Sequence, residues 1–112
     1  DSESEIKNIS INRSEFDKIN LDPGGVCVTS KGNDSDFVSR FFTSQSSILE
    51  DPVTGSANCM LVPYWAERLG KKKFRARQVC KRGGDLYCEL AGERVKIAER
   101  AALYMEGHFY LP

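Results

Sequence analysis

Residues 49–71 read LEDPVTGSANCMLVPYWAERLGK, and how this stretch is read decides the fold. Across residues 56–66 only Ser56 and Asn58 carry polar side chains, yet the segment follows two adjacent acids and a Thr-Gly-Ser turn. A surface helix would keep one apolar stripe, such as Ala57, Met60, Leu61 and Tyr64, with polar residues opposite. Here Cys59, Val62 and Ala66 fill the opposite side too, so the sequence predicts a helix over residues 56–69 that is buried on every side. Glu67 and Arg68 then turn it polar, Gly70 offers the left-handed residue that ends a helix, and Lys71-Lys72-Lys73 leads out to solvent. Pro63 removes one backbone donor within the helix and is expected to bend it.

Working outward, the flanks read mostly as strands. VCVTS and DFVSRFF precede the helix, and FRARQVC, DLYCEL and RVKIA follow it, separated by Gly83-Gly84 and Ala91-Gly92-Glu93 turns. In RVKIA the apolar Val95 and Ile97 alternate with Arg94 and Lys96, as on a half-buried strand. AALYMEG and HFYL read as two further strands. Asp22-Pro23-Gly24-Gly25 reads as a turn. Asn12 and Glu15 have capping-box spacing for a short helix in SEFDKI, and the polar residues 1–5 are expected to fray. These elements predict one α+β domain over residues 1–112, a curved, mostly antiparallel sheet wrapped around a central helix.

Composition narrows the function classes. The 112 residues carry 16 basic and 16 acidic groups, which gives no electrostatic pointer to nucleic acid. No apolar run approaches the roughly 20 residues that span a bilayer, and no export signal is legible. Cys27, Cys59, Cys80 and Cys88 lack CxxC spacing and share the chain with a single histidine, His108, so no metal site is expected. Lying in apolar segments, they read as reduced cysteines of a cytoplasmic protein.

Chemistry concentrates where the helix begins. The first turn of a helix leaves backbone N–H groups that need caps, water or a ligand, and the helix dipole favours an anion there. Gly55 permits close approach, Thr54 or Ser56 can cap or bind, and Asp51 can accept a hydrogen bond from a ligand hydroxyl or amine. The pattern suits a small hydroxylated or zwitterionic carboxylic acid, while turn and capping roles alone would also account for it.

The run EDPVTGSANCMLVPYWAERLGK, followed by QVCKRGGDLYCEL and GERVKIAERAALYMEG, resembles the carboxy-terminal half of the phenazine-biosynthesis-like (PhzF-type) isomerases, which have the diaminopimelate-epimerase fold. EDPVTGSA, the YW within the helix, the RGG turn and the GERV turn fall in that family's order. The resemblance implies a cofactor-independent isomerase or epimerase of two similar halves, with the ligand held between two helix starts. It places Asp51 and Ser56 at ligand-contacting positions, and Gly55 and Ala57 on backbone facing the ligand carboxylate, beside Thr54. It implies that a glutamate of the amino-terminal half is the acid/base, so no catalytic residue is expected in this chain. Residues 1–50 contain neither the GNPA motif nor the Gly-His-Ala-Thr segment of that half, and GSAN stands here where GSAH is common. The expected partners are a small carboxylic acid and either the amino-terminal half of the same enzyme or a second copy of this chain, with no nucleic acid and no membrane. The alternative is a non-catalytic module that self-associates or binds a ligand.

Overall fold

The computed structural model describes residues 2–21 and 24–112. Helix α1, Glu3–Asn8, is capped by Ser2, whose hydroxyl accepts the Glu5 N–H while the Glu5 carboxylate accepts the Ser2 N–H. The polar start expected to fray is therefore a helix from residue 3, held by a reciprocal capping box. Helix α2, Arg13–Phe16, follows, but Asn12 makes no side-chain bond to its backbone. Of the turn expected at residues 22–25, Asp22 and Pro23 lie outside the described residues.

Strands β1 (Val26–Lys31), β2 (Phe37–Phe42), β3 (Glu50–Asp51), β4 (Lys73–Gln78), β5 (Gly84–Ala91) and β6 (Arg94–Ala98) form one sheet. Its order is β1-β2-β4-β5-β6, with β3 also paired to β2. Every pairing is antiparallel except β2 with β4, which run parallel with Phe37 opposite Ala76. Parallel neighbours need a crossover connection. Helix α3, Asn58–Leu69, lies within it. The result is an α+β fold with a mostly antiparallel sheet, as the strand pattern indicates.

The turn glycines fall where the sequence puts them. Gly70 ends α3 at φ 63°, and Gly83 and Gly92 turn the chain at φ 67° and 61°, a region that disfavours a Cβ.

The core lies between α3 and the sheet, where Leu61, Val62 and Trp65 pack with Phe37, Phe74, Ala76, Leu86 and Cys88. Trp65 stacks on Phe37 with ring centroids 5.8 Å apart, and its Nε1–H donates to Thr29 Oγ1 at 3.0 Å. The other face of β2 carries Val38, Arg40 and Phe42 by strand alternation. Helix α1 lies there. Arg40 Nη1 donates to the carbonyls of Ile6, Lys7 and Ile9, at 3.1, 3.2 and 2.8 Å, and so closes the carboxy-terminal end of α1.

Two expectations are corrected. Helix α3 is not buried all round: Leu61 and Val62 are 7% and 0% exposed, but Met60 is 65% and Tyr64 43% exposed, and Cys59 is exposed too. The sheet covers one side of α3 only, and apolar composition alone does not say which side is covered. Residues 101–111, read as strands, hold no regular structure, and the whole of 99–112 is exposed. Their strand propensity finds no partner edge within the described residues.

Among the described residues no helix is long and apolar enough to cross a membrane. The four cysteines are free, and burial pushes the Cys27 and Cys88 thiols up to about 11.

Candidate functional site

The acids before α3 are separated by pairing. Glu50 and Asp51 sit on β3 opposite Phe42 and Phe41. Arg40 takes the Glu50 carboxylate in a two-pronged contact, Nε to Oε1 at 2.6 Å and Nη2 to Oε2 at 2.9 Å. Asp51 is the acid left to the loop, where the Thr54 hydroxyl donates to its Oδ2 at 2.7 Å. Its Oδ1 has no hydrogen-bond partner among the described residues.

The loop at residues 51–54 is clamped from behind by the β4–β5 hairpin. In β4 the inward positions are Phe74, Ala76 and Gln78, so a polar amide is carried into the core at 2% exposure. Gln78 Oε1 accepts the Thr54 N–H at 2.7 Å, while Nε2 donates to the Asp51 carbonyl and lies 3.3 Å from Thr54 Oγ1. Asn58, 1% exposed, donates from Nδ2 to the Thr54 carbonyl at 3.3 Å. Its Oδ1 is enclosed without a partner among the described residues. The Cys80 thiol reaches the Pro52 carbonyl at 3.3 Å and accepts the Gly83 N–H at 3.1 Å. Gly84 packs closely on the loop, and a Cβ there would lie 2.5 Å from Val53 Cγ2, so a larger residue would push the Val53 side chain aside.

With the loop fixed, the chain turns directly into the helix. Ala57 already has helical angles, φ −59° and ψ −29°. The first carbonyls are used tightly: Asn58 N–H bonds Gly55 O at 3.0 Å, Cys59 N–H bonds Ser56 O at 3.0 Å, and Leu61 N–H bonds Ala57 O at 3.1 Å. The regular helix thus begins at Asn58, two residues later than expected, behind a tight turn from Gly55. Among the described residues, nothing accepts a hydrogen bond from the N–H groups of Gly55, Ser56 and Ala57, and no side chain caps the helix. The space over Gly55 is open, because a Cβ built there would meet no atom within 4 Å.

The expected site residues therefore take distinct places. Asp51 and Thr54 are joined by a hydrogen bond, Thr54 and Ala57 are buried, and Ser56 is exposed beside the open Gly55. Three N–H groups without an acceptor among the described residues, at the positive end of a twelve-residue helix, are a feature that can hold an anion. Sequence reading missed Gln78. The signal was a polar residue at an inward position of an alternating strand.

One cavity, of about 610 Å³, lies at the residue 80–84 turn, bounded by Lys7, Arg77, Gln78, Arg82 and Asp85 among others. Gly55, Ser56 and Ala57 do not line it. No group of three or more potential metal ligands occurs among the described residues.

The phenazine biosynthesis-like protein family matches residues 1–107. An uncharacterised isomerase of Pseudomonas aeruginosa is 54% identical over 87 residues, covering 78% of this chain and 33% of that protein. Two solved structures superpose on 99% of this chain and 42% of their own. A phenazine biosynthesis PhzC/PhzF protein from Clostridium difficile gives a TM-score of 0.84 at 42% identity. A PhzF-family phenazine biosynthesis protein from Enterococcus faecalis gives 0.85 at 41% identity. The chain spans less than half the length of each of these relatives.

Proposed function

The chain belongs to the phenazine biosynthesis-like, PhzF-type isomerase family, and from that premise we propose that it supplies the carboxylate-binding wall of a cofactor-independent isomerase or epimerase site. The single observation that carries this reading is the set of N–H groups at Gly55, Ser56 and Ala57 that find no acceptor among the described residues, with open space over Gly55.

The chemistry follows from charge. A ligand carboxylate seated on the three N–H groups has its charge offset by the helix dipole, an effect of about 0.3–1 kcal/mol when exposed and more when water is excluded. Offsetting that charge makes removal of a proton from the adjacent carbon less costly, because the developing negative charge spreads onto the same carboxylate. Asp51 Oδ1 accepts from a hydroxyl or ammonium group of the same ligand, fixing its orientation, while Thr54 holds Oδ2. The proton itself is moved by a glutamate outside these 112 residues, as the family resemblance implies. The chain spans 42% of the solved relatives, which supports a second segment as the opposite wall.

Solvent-deuterium incorporation tests this. Small amino and hydroxy acids incubated with the chain alone in heavy water should exchange no faster than in buffer. Adding the part of the Clostridium difficile protein that this chain does not cover should bring exchange at the carbon beside the carboxylate, and Asp51→Asn should suppress it. Exchange by the chain alone, or exchange indifferent to Asp51, would contradict the assignment.

A further inference from the structure

Two distant parts of the chain bring positive charge to the cavity at the turn between β4 and β5. Lys7 reaches it from α1, Arg77 from the end of β4, and Lys81 and Arg82 from the turn itself, while Asp85 at the start of β5 is the one acid on its wall. Its volume of about 610 Å³ is that of a small-molecule site, for which about 300–1,000 Å³ is usual.

Internal pairing accounts for only part of that charge. Asp85 is shared by two guanidiniums, taking Arg77 Nε on Oδ1 and Arg75 Nη2 on Oδ2, each at 2.7 Å. Lys7 Nζ lies 2.6 Å from Glu3 Oε1, and the other Glu3 oxygen accepts the Asn33 N–H at 2.7 Å. Lys81 and Arg82 are exposed, and neither has an ion pair or a side-chain hydrogen bond among the described residues.

The backbone adds donors at the same place. The Cys80 thiol accepts the Gly83 N–H at 3.1 Å and Gly83 takes φ 67°, which together fix the turn. Val79 N–H is used by Ser39 O at 2.9 Å, but the N–H groups of Cys80, Lys81 and Arg82 find no acceptor among the described residues. Successive unused N–H groups in a turn, flanked by an ammonium and a guanidinium, are the parts of an anion-binding concavity.

We propose that this cavity binds the phosphate group of a small phosphorylated molecule, held by the Lys81 and Arg82 side chains and the amides of residues 80–82, with Lys7 completing the wall. Charge selects phosphate over a simple carboxylate. A phosphomonoester carries about −1.5 to −2 at neutral pH and three acceptor oxygens, which matches two unpaired cations and several donors. A monocarboxylate would leave one of the two cations unmatched. Gly55, Ser56 and Ala57 do not line the cavity, so this site is separate from the helix start and does not depend on the carboxylate reading.

The test is an amide-shift titration of the ¹⁵N-labelled chain with inorganic phosphate at constant ionic strength, with lactate as the monoanionic control. Phosphate should give saturable shifts at Cys80, Lys81 and Arg82 that lactate reproduces at least tenfold more weakly. The double variant Lys81→Ser, Arg82→Ser should weaken phosphate binding at least tenfold and keep the rest of the amide spectrum, because neither side chain is bonded within the fold. Lactate shifts at Gly55, Ser56 and Ala57 should be the same in that variant, which keeps failure of this site distinct from failure of the helix-start site. No saturable shift at the turn, equal shifts at the exposed basic run Lys71-Lys72-Lys73, or phosphate binding indifferent to the two substitutions would each overturn the proposal.

Discussion

Gln78 holds Thr54 from both ends of its amide, accepting the Thr54 N–H at 2.7 Å through Oε1 and approaching the Thr54 hydroxyl at 3.3 Å through Nε2. The same Nε2 donates to the Asp51 carbonyl. One buried side chain thereby ties together Asp51 and Thr54, the two residues that lead into the turn before α3.

Replacing Gln78 with Leu keeps most of the volume and removes those bonds. Buried polar groups left unpaired cost about 1–3 kcal/mol each. Urea unfolding of Gln78→Leu should show a loss in that range or above, and carboxylate binding at Gly55 should weaken with it. Unchanged stability would mean that the clamp does not form in solution.

The one-sided burial of α3 gives a paired prediction. Leu61→Ala opens a cavity in the core and should cost about 2–5 kcal/mol. Met60→Ala, one residue earlier but 65% exposed, should stay within about 0.5 kcal/mol in the isolated chain. Equal losses would show that something covers the outer face of α3.

The helix and its stop were legible because local chemistry fixes them: Gly70, Gly83 and Gly92 occupy left-handed turns that other residues resist. Helix α1 was legible too, in the Ser2-x-x-Glu5 spacing, but a polar terminus hid it. The covered side of α3 was not legible, since Met60 and Leu61 are equally apolar and only the position of the sheet separates them. For the site, EDPVTGSA gave Asp51 and residues 54–57. Gln78 contributes through a contact 24 residues away in sequence, which no spacing rule reports. The final strands failed for a different reason, because a strand needs a neighbour and residues 101–111 have none among the described residues.

Acid should expose one surface contact. Hydrogen bonds from Arg77 and then Arg75 hold the Asp85 carboxyl down to about 2, against an ordinary 3.8. A depressed carboxyl contributes stability above its unfolded value and loses it as pH falls toward the folded value. The melting-temperature gap between the native chain and Asp85→Asn should therefore hold steady above about pH 5 and close between about pH 4 and 2. Its size should be small, as the group is partly exposed. A gap that persists at pH 2 would assign the effect to something other than this ion pair.

The most direct measurement is an amide-shift titration of the ¹⁵N-labelled chain with lactate, using lactamide as the uncharged control. The account predicts saturable shifts concentrated at Gly55, Ser56 and Ala57 that lactamide does not reproduce and that Asp51→Asn weakens. Shifts centred on the exposed Lys81 and Arg82, or no saturable shift at the three helix-start amides, would contradict it.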